Sequence, residues 1–189
     1  MAIYDDDGTA TREIGKLYDN DGTTTYQIGK AYDNDGTNSY LIYSAEEQYF
    51  PGTTPSRYSP GGAGGYTANS TNWSCSISNG TNVNSVTSYL KINMTGIKTI
   101  TITGNSTWHG GVWLSNQSQF DSKQQQLYHP YYIFYAPDSS AYVQKANNLS
   151  SAVTWDVSSY SGNYYLFLGC YTNSNGDQSA SVTSVIGRE

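Results

Sequence analysis

The sequence predicts an all-β protein in which short, repeated β-strands at the N-terminus precede a β-sandwich. Three observations support this prediction. A 14-residue repeat that contains the dipeptide Asp-Gly occupies the first 44 positions. Beyond residue 66, eight or nine short runs are either apolar or alternate between apolar and polar residues, and segments rich in Gly, Asn, Ser and Pro separate them. Tyr, Thr, Ser, Asn and Gly are abundant and only 13% of residues are charged, a composition that favours strands and turns.

The repeat is defined by two residue types that return at the same spacing. Tyrosine and isoleucine each recur every 14 residues, at Tyr4, Tyr18 and Tyr32 and at Ile14, Ile28 and Ile42. Each of these tyrosines is followed by a short acidic segment that ends in Asp-Gly-Thr. This segment indicates a tight turn, because Gly accepts a positive φ and Asp tolerates it. Between turns, Tyr26, Ile28, Lys30 and Tyr32 alternate with smaller or more polar residues, as in a half-buried strand. The pattern predicts one strand and one turn per repeat.

The Tyr/Ile face of such short strands needs a cover, because isolated hairpins are marginal in water. The same face on other copies of the chain is the simplest cover. We therefore expect a homo-oligomer with contacts through Tyr18, Tyr26, Ile28, Tyr32 and Ile42. The alternative is a β-meander packed on the rest of its own chain. Asp19-x-Asp21-Gly22 is half of a calcium loop but lacks the third ligand and the closing Glu, so we expect neither a metal nor a cofactor.

The sequence of the repeat resembles segments of known viral proteins. Units of similar length form the shafts of viral fibres, and the wording Tyr-Asp-Asn-Asp-Gly-Thr with Ile-Gly-Lys between resembles repeats of tail and minor structural proteins of phages and prophages of Gram-positive gut bacteria. The resemblance covers about the first 44 residues. It implies a virion protein assembled in the host cytoplasm as a trimer, with other virion proteins as partners.

Residues 45–66 carry Pro51, Pro55, Pro60 and a Gly-rich run, so we predict a connector between the repeat (1–44) and a sandwich (67–189). The alternative is a long ordered loop anchored by Tyr49, Phe50 and Tyr58. Within this connector, we expect a single helical turn at residues 45–50. The predicted strands are 73–77, 86–94, 97–103, 112–114, 131–135, 141–145, 152–157, 164–171 and 180–186. The run 164–168 is apolar on both faces and is predicted to be the central strand. The sequence of residues 156–169 resembles the closing strands of jelly-roll, galactose-binding-like sandwiches, which often serve as carbohydrate-binding heads.

Charge and hydropathy argue against several classes of function. The net charge is −6 and the nine Lys and Arg residues are scattered, whereas nucleic acids and anionic membranes need clustered cations. No apolar run approaches the roughly 20 residues of a membrane helix, and we expect no signal peptide. Cys75 and Cys170 are predicted to be buried free thiols, with a disulfide as the alternative.

Binding is better supported than catalysis. The acids beyond residue 66 form no recognisable pair, and neither histidine has a metal-ligand or nucleophile spacing, so we expect no enzymatic activity. Two aromatic clusters can instead supply the flat apolar platform that a sugar needs. They comprise Trp108 and His109 before two glycines, and Tyr128, His129 and Tyr131 after a Gln-rich segment. The alternative for Trp73, Trp113 and Trp155 is the core, and for Trp108 an ordinary edge position.

These observations together predict a phage fibre or spike whose β-sandwich head binds a host surface glycan or protein. A purely structural capsid decoration or head-fibre protein is the alternative, and a depolymerase head is a third. A multivalent assembly would convert weak binding at each head into useful avidity.

Overall fold

The structure is a computed structural model that describes residues 3–6, 11–14, 17–20, 25–28, 30–34, 39–44, 46–58, 65–78, 86–116, 130, 133–134, 142–172 and 176–189. For 3–44 and for positions 58, 86 and 87 it describes the backbone alone. The fold class is all-β, as predicted. The chain divides into two units, Met1–Glu47 with Arg188–Glu189, and Gln48–Gly187.

The first unit contains three antiparallel hairpins, one for each repeat. Strand β1 (Ile3–Asp6) pairs with β2 (Thr11–Ile14), β3 (Leu17–Asn20) with β4 (Thr25–Ile28), and β5 (Lys30–Asn34) with β6 (Ser39–Ser44). Each repeat therefore contributes two strands, where one was predicted.

The second unit is a sandwich of two antiparallel sheets, named here the outer-groove sheet and the central sheet. The outer-groove sheet has the order β15 (Ala152–Asp156), β12 (Thr99–Ser106), β17 (Gln178–Arg188), β10 (Trp73–Ile77), β9 (Gly65–Ala68), with β7 (Glu46–Phe50) also paired to β17. The central sheet has the order β14 (Gln144–Asn147), β13 (Gly110–Ser115), β16 (Asn163–Cys170), β11 (Val86–Asn93), β8 (Ser56–Tyr58).

The strands from β10 to β17 have the connectivity of a jelly roll. We number the described strands from β10 to β17 one to eight in chain order. In one sheet the neighbours follow the order one, eight, three and six, and in the other they follow the order two, seven, four and five. The chain thus passes repeatedly from sheet to sheet. Strand β16 lies in the middle of the central sheet, which confirms the prediction made from its continuous apolar run.

Much of the predicted connector belongs to the sandwich. Strand β7 occupies the segment expected to be a helical turn and pairs with β17, β8 pairs with β11, and β9 pairs with β10. Phe50 is fully buried and its ring meets the ring of Trp73 edge-on at 5.7 Å. The buried aromatic residues fix the segment to the core, as the loop alternative anticipated for Tyr49 and Phe50.

The core lies between the two sheets and is built from inward-facing residues of alternating strands. Trp73, Trp113 and Trp155 are buried, as expected for core aromatics. A smaller apolar cluster on the central sheet joins Trp113 to Phe134 and Phe167, and the rings of Trp113 and Phe167 stack at 5.2 Å. Ile133 and Phe134 are helical, so the strand predicted at 131–135 is wrong at these two positions. Both side chains belong to the apolar cluster with Trp113 and Phe167, so these two residues are buried without forming a strand.

Candidate functional site

The most exposed large aromatic side chain among the described residues is Trp108, in the loop between β12 and β13. This loop carries the chain from one sheet to the other. It is closed by the backbone amide of Gly110, which donates to the carbonyl of Thr107 at 3.0 Å. Gly110 is required there because the carbonyl of Ser179 lies against its Cα, where a side chain would collide with backbone. Gly110 and Gly111 are both buried at the start of β13.

A buried glutamine holds the loop in place. The side-chain oxygen of Gln178 accepts hydrogen bonds from the hydroxyl of Thr107 at 2.8 Å and from the backbone amide of His109 at 3.0 Å. The Thr107 backbone amide donates to the carbonyl of Ser179 at 2.9 Å, and the Ser179 amide donates to the Thr107 hydroxyl at 2.9 Å. The residues on both sides of Trp108 are therefore hydrogen-bonded to the first two residues of β17.

The indole itself lies over a buried imidazole. Trp108 is 67% exposed whereas His109 is 1% exposed, and their rings stack with centroids 4.7 Å apart and planes inclined by 28°. The side-chain amide of Asn147 donates to the Trp108 carbonyl at 3.0 Å. Burial lowers the pKa of His109 below its ordinary value, so the imidazole is neutral at neutral pH. The site thus presents an aromatic platform without a charge beneath it.

Beside this loop, a groove of about 660 Å³ crosses the outer surface of the outer-groove sheet. Its floor is formed by β9, β10 and β17, and its walls by the segments 105–107 and 148–150. Thr107, the residue before Trp108, is one of the wall residues. The described lining residues carry no charge and comprise Gly65, Tyr66, Thr67, Ser74, Cys75, Ser76, Asn105, Ser106, Thr107, Asn148, Leu149, Ser150, Ser179, Ala180 and Ser181.

The groove floor is a lattice of hydroxyl groups. Ser74 is aligned with Ser181 and Ser76 with Ser179 across β10 and β17. Successive residues of a strand point to opposite faces, so these four serines lie on the outer face while Cys75 and Ala180 point to the core. Each hydroxyl can donate one hydrogen bond and accept two. The floor therefore offers many adaptable donors and acceptors at regular spacing.

The second wall of the groove is held by the backbone. Leu149 donates its amide to the hydroxyl of Ser106 at 2.8 Å, and Ser106 donates its amide to the Leu149 carbonyl at 2.8 Å. Asn148 has a φ of 53°, a conformation that Asn adopts more readily than most residues. Both walls are thus connected to the end of β12, and the groove has a defined width.

Only part of the predicted ligand-binding set can be located. Trp108 and His109 are adjacent but differ in role, because His109 is buried and supports the exposed indole. Tyr128, His129 and Tyr131 lie outside the described residues. Sequence reasoning missed the groove hydroxyls and Gln178. The spacing Ser74-x-Ser76 and Ser179-x-Ser181 was a signal, although it is also what an ordinary solvated strand face looks like.

The residues predicted to form the oligomer interface all lie in described strands. Tyr18 is in β3, Tyr26 and Ile28 are in β4, Tyr32 is in β5 and Ile42 is in β6. In the second hairpin, Ile28 is aligned with Leu17 and Tyr26 with Asp19, whereas Tyr18 is aligned with Gln27. Tyr18 therefore occupies the alternate register position from Tyr26 and Ile28. The role of the five residues in oligomerisation stays a prediction.

In the part of the chain that the structure describes, no three His, Cys, Asp or Glu residues cluster so that they could hold a metal ion, and no helix is long and apolar enough to cross a membrane. No family model, curated protein or solved structure matches the chain. The geometry of the Trp108 loop and its groove is therefore the basis for assigning a function.

Proposed function

We propose that this protein is a phage fibre or spike component whose sandwich binds a neutral glycan on the host surface. The observation that carries the proposal is the exposed indole of Trp108, held on a pinned loop next to an uncharged, hydroxyl-lined groove. The glycan stacks one apolar sugar face on the indole, and its hydroxyl groups exchange hydrogen bonds with the groove.

The chemistry of the groove favours a neutral saccharide over other ligands. An acidic polysaccharide or a nucleic acid would be recognised by cations, and the described lining residues include none. The volume of about 660 Å³ lies within the range of roughly 300–1,000 Å³ that is usual for small-ligand sites. Serine, threonine and asparagine side chains are the donors and acceptors that a polyol can satisfy without a net charge.

The same lining supports binding rather than cleavage. Glycoside hydrolysis ordinarily uses two carboxyl groups on opposite sides of the scissile bond. The described lining contains no Asp or Glu. A ligand in this groove would therefore be held but not hydrolysed by the residues around it.

The N-terminal hairpins supply the other half of the proposal. Three short hairpins follow one another, and two-stranded hairpins of four to six residues per strand are marginal alone. Association of several chains through this segment would cover the hairpins and collect several heads in one particle component. Several weak sites acting together would then raise the overall affinity by two to four orders of magnitude.

The test is a glycan array probed with the full-length protein, followed by calorimetric titration of the best neutral oligosaccharide. In Trp108→Ala, we expect the affinity to fall roughly 30-fold, since loss of an aromatic hot spot costs about 2 kcal/mol. Trp108→Phe should retain part of the affinity, because it keeps an aromatic face. The matched control is Val143→Ala, which removes an exposed apolar side chain that is 39% accessible and belongs to no part of the groove.

Two results would contradict the proposal. If Trp108→Ala bound the oligosaccharide as tightly as the unaltered protein, the indole would not be the platform. If the array and the host cell-wall polysaccharides gave no binding at all, a purely structural decoration protein would be the better interpretation.

A further inference from the structure

The two cysteines of the chain face each other across the core of the sandwich. Cys75 lies in β10 of the outer-groove sheet, and Cys170 is the last residue of β16 in the central sheet. Their sulfur atoms are 3.4 Å apart, and both residues are buried as free thiols. Residues separated by 95 positions in the sequence are therefore brought into direct sulfur–sulfur contact.

On one side, each cysteine has a small neighbour in its own sheet. Cys75 is aligned with Ala180 on β17, and Cys170 is aligned with Gly110 on β13. The aligned residues on the other side are larger, Tyr66 for Cys75 and Val86 for Cys170. A disulfide has a sulfur–sulfur distance of about 2.05 Å, so closure needs an approach of about 1.4 Å from the observed contact.

We propose that Cys75 and Cys170 form a disulfide that cross-links the two sheets when the protein meets a low-molecular-weight disulfide oxidant. In a reducing cytoplasm the pair remains a dithiol, as the structure shows it. Outside the cell, or in any oxidising buffer, the bond closes the sandwich covalently. The inference depends on the two sulfur positions alone and does not require the glycan-binding function.

The reaction is an ordinary thiol–disulfide exchange. The thiolate of one cysteine attacks a sulfur of the oxidant, forms a mixed disulfide and releases one thiol of the oxidant. The thiolate of the second cysteine then attacks the protein sulfur of the mixed disulfide and releases the second thiol. Two protein thiols have lost two hydrogen atoms, and the oxidant has been reduced to two thiols.

Burial predicts that this reaction is slow in the folded protein. The neighbouring Cys170 and burial both raise the pKa of the Cys75 thiol well above its ordinary value, so little thiolate is present at neutral pH. Closure should therefore be fastest while the chain is folding or in mild denaturant. The proximity of the native sulfur atoms then favours this pairing over bonds between molecules.

The test uses the full-length protein refolded in a buffer of reduced and oxidised glutathione. We expect the mass to fall by two hydrogen atoms, both thiols to be lost from a titration in denaturant, and one proteolytic fragment to contain both cysteines. Thermal unfolding of the oxidised protein should occur several degrees higher than that of the reduced protein. Cys170→Ser and Cys75→Ser provide the controls, since each should keep one titratable thiol and show no such increase.

Three outcomes would overturn the inference. The first is two titratable thiols after refolding in the oxidising buffer. The second is stable attachment of glutathione to either cysteine without ring closure. The third is a bond between two molecules in place of the bond within one.

Discussion

Substitution of Ser88 by alanine tests whether a single buried hydrogen bond holds the two sheets together. Ser88 is fully buried on β11 of the central sheet, and its hydroxyl accepts a hydrogen bond of 2.6 Å from the indole nitrogen of Trp73 on β10 of the other sheet. It is therefore a polar link between sheets in an otherwise apolar layer.

The expected cost follows from what the alanine leaves behind. The indole N–H of Trp73 stays buried after Ser88→Ala but loses its acceptor, and an unsatisfied buried donor costs about 1–3 kcal/mol. For a unit of this size, each kcal/mol lowers the melting temperature by roughly 3–4 °C. We expect the free energy of unfolding to fall by about 2 kcal/mol.

A double-mutant cycle in urea, followed by tryptophan fluorescence and far-UV circular dichroism, isolates this contribution. In Trp73→Phe the donor is absent, so adding Ser88→Ala should cost about 1 kcal/mol less than it does in the unaltered protein. Ser74→Ala is the matched control, because its hydroxyl lies on the outer face of β10 and donates to Asn72 at an exposed position. That control should change the free energy by less than about 0.5 kcal/mol. The reasoning is refuted if Ser88→Ala is equally harmless, or if its cost is the same with and without the indole.

Two further predictions concern pH and chain length. His109 is buried and its pKa is lowered by burial, whereas in the unfolded chain it is about 6.5, so the unfolded state takes up the proton first as the pH falls. Chemical denaturation should show a free energy of unfolding that is highest above about pH 7 and decreases as the pH falls toward about 5.5. His109→Phe should remove most of that slope, and an unchanged slope in this variant would exclude His109 as its source. Deletion of residues 1–44 should leave a folded, monomeric sandwich, because the core residues that the structure describes lie beyond them. Light scattering that still detected a trimer would place the oligomer interface in the sandwich.

The sandwich could be predicted from the sequence where apolar residues either alternate strictly or run without interruption. Strand β10 has the predicted bounds because Trp73, Cys75 and Ile77 alternate with serines. Strand β16 was placed centrally because its run is apolar on both faces. The edge strands were harder to predict, since β7, β8 and β9 are short and separated by Pro and Gly. Their strand conformation depends on partners elsewhere in the chain, such as β17 for β7, and local sequence carries no record of those partners.

The groove could not be predicted because its residues are ordinary one at a time. Serines on the outer face of β10 or β17 have the pattern of any solvated strand. They become a site only because the jelly-roll order makes the first and last of its eight strands neighbours and places the 148–150 segment beside the end of β12. A binding surface of this kind is a property of topology, and no spacing within one strand can reveal it.

Trp108 is exposed because the inward–outward alternation of side chains along β12 does not continue through the loop that follows it. Along β12, Ile100, Ile102 and Gly104 face the core, so continued alternation would carry residue 108 inward as well. The strand instead ends at Ser106, and the turn from Thr107 to Gly110, held by Gln178, reverses the phase. His109 then takes the buried position and Trp108 the exposed one. An apolar residue of this size would gain by burial, so a fold that fixes it in solvent with several hydrogen bonds on either side gives up that stabilisation. A ligand that covers the indole would restore it, which is why Trp108 and not the three buried tryptophans carries the proposed binding function.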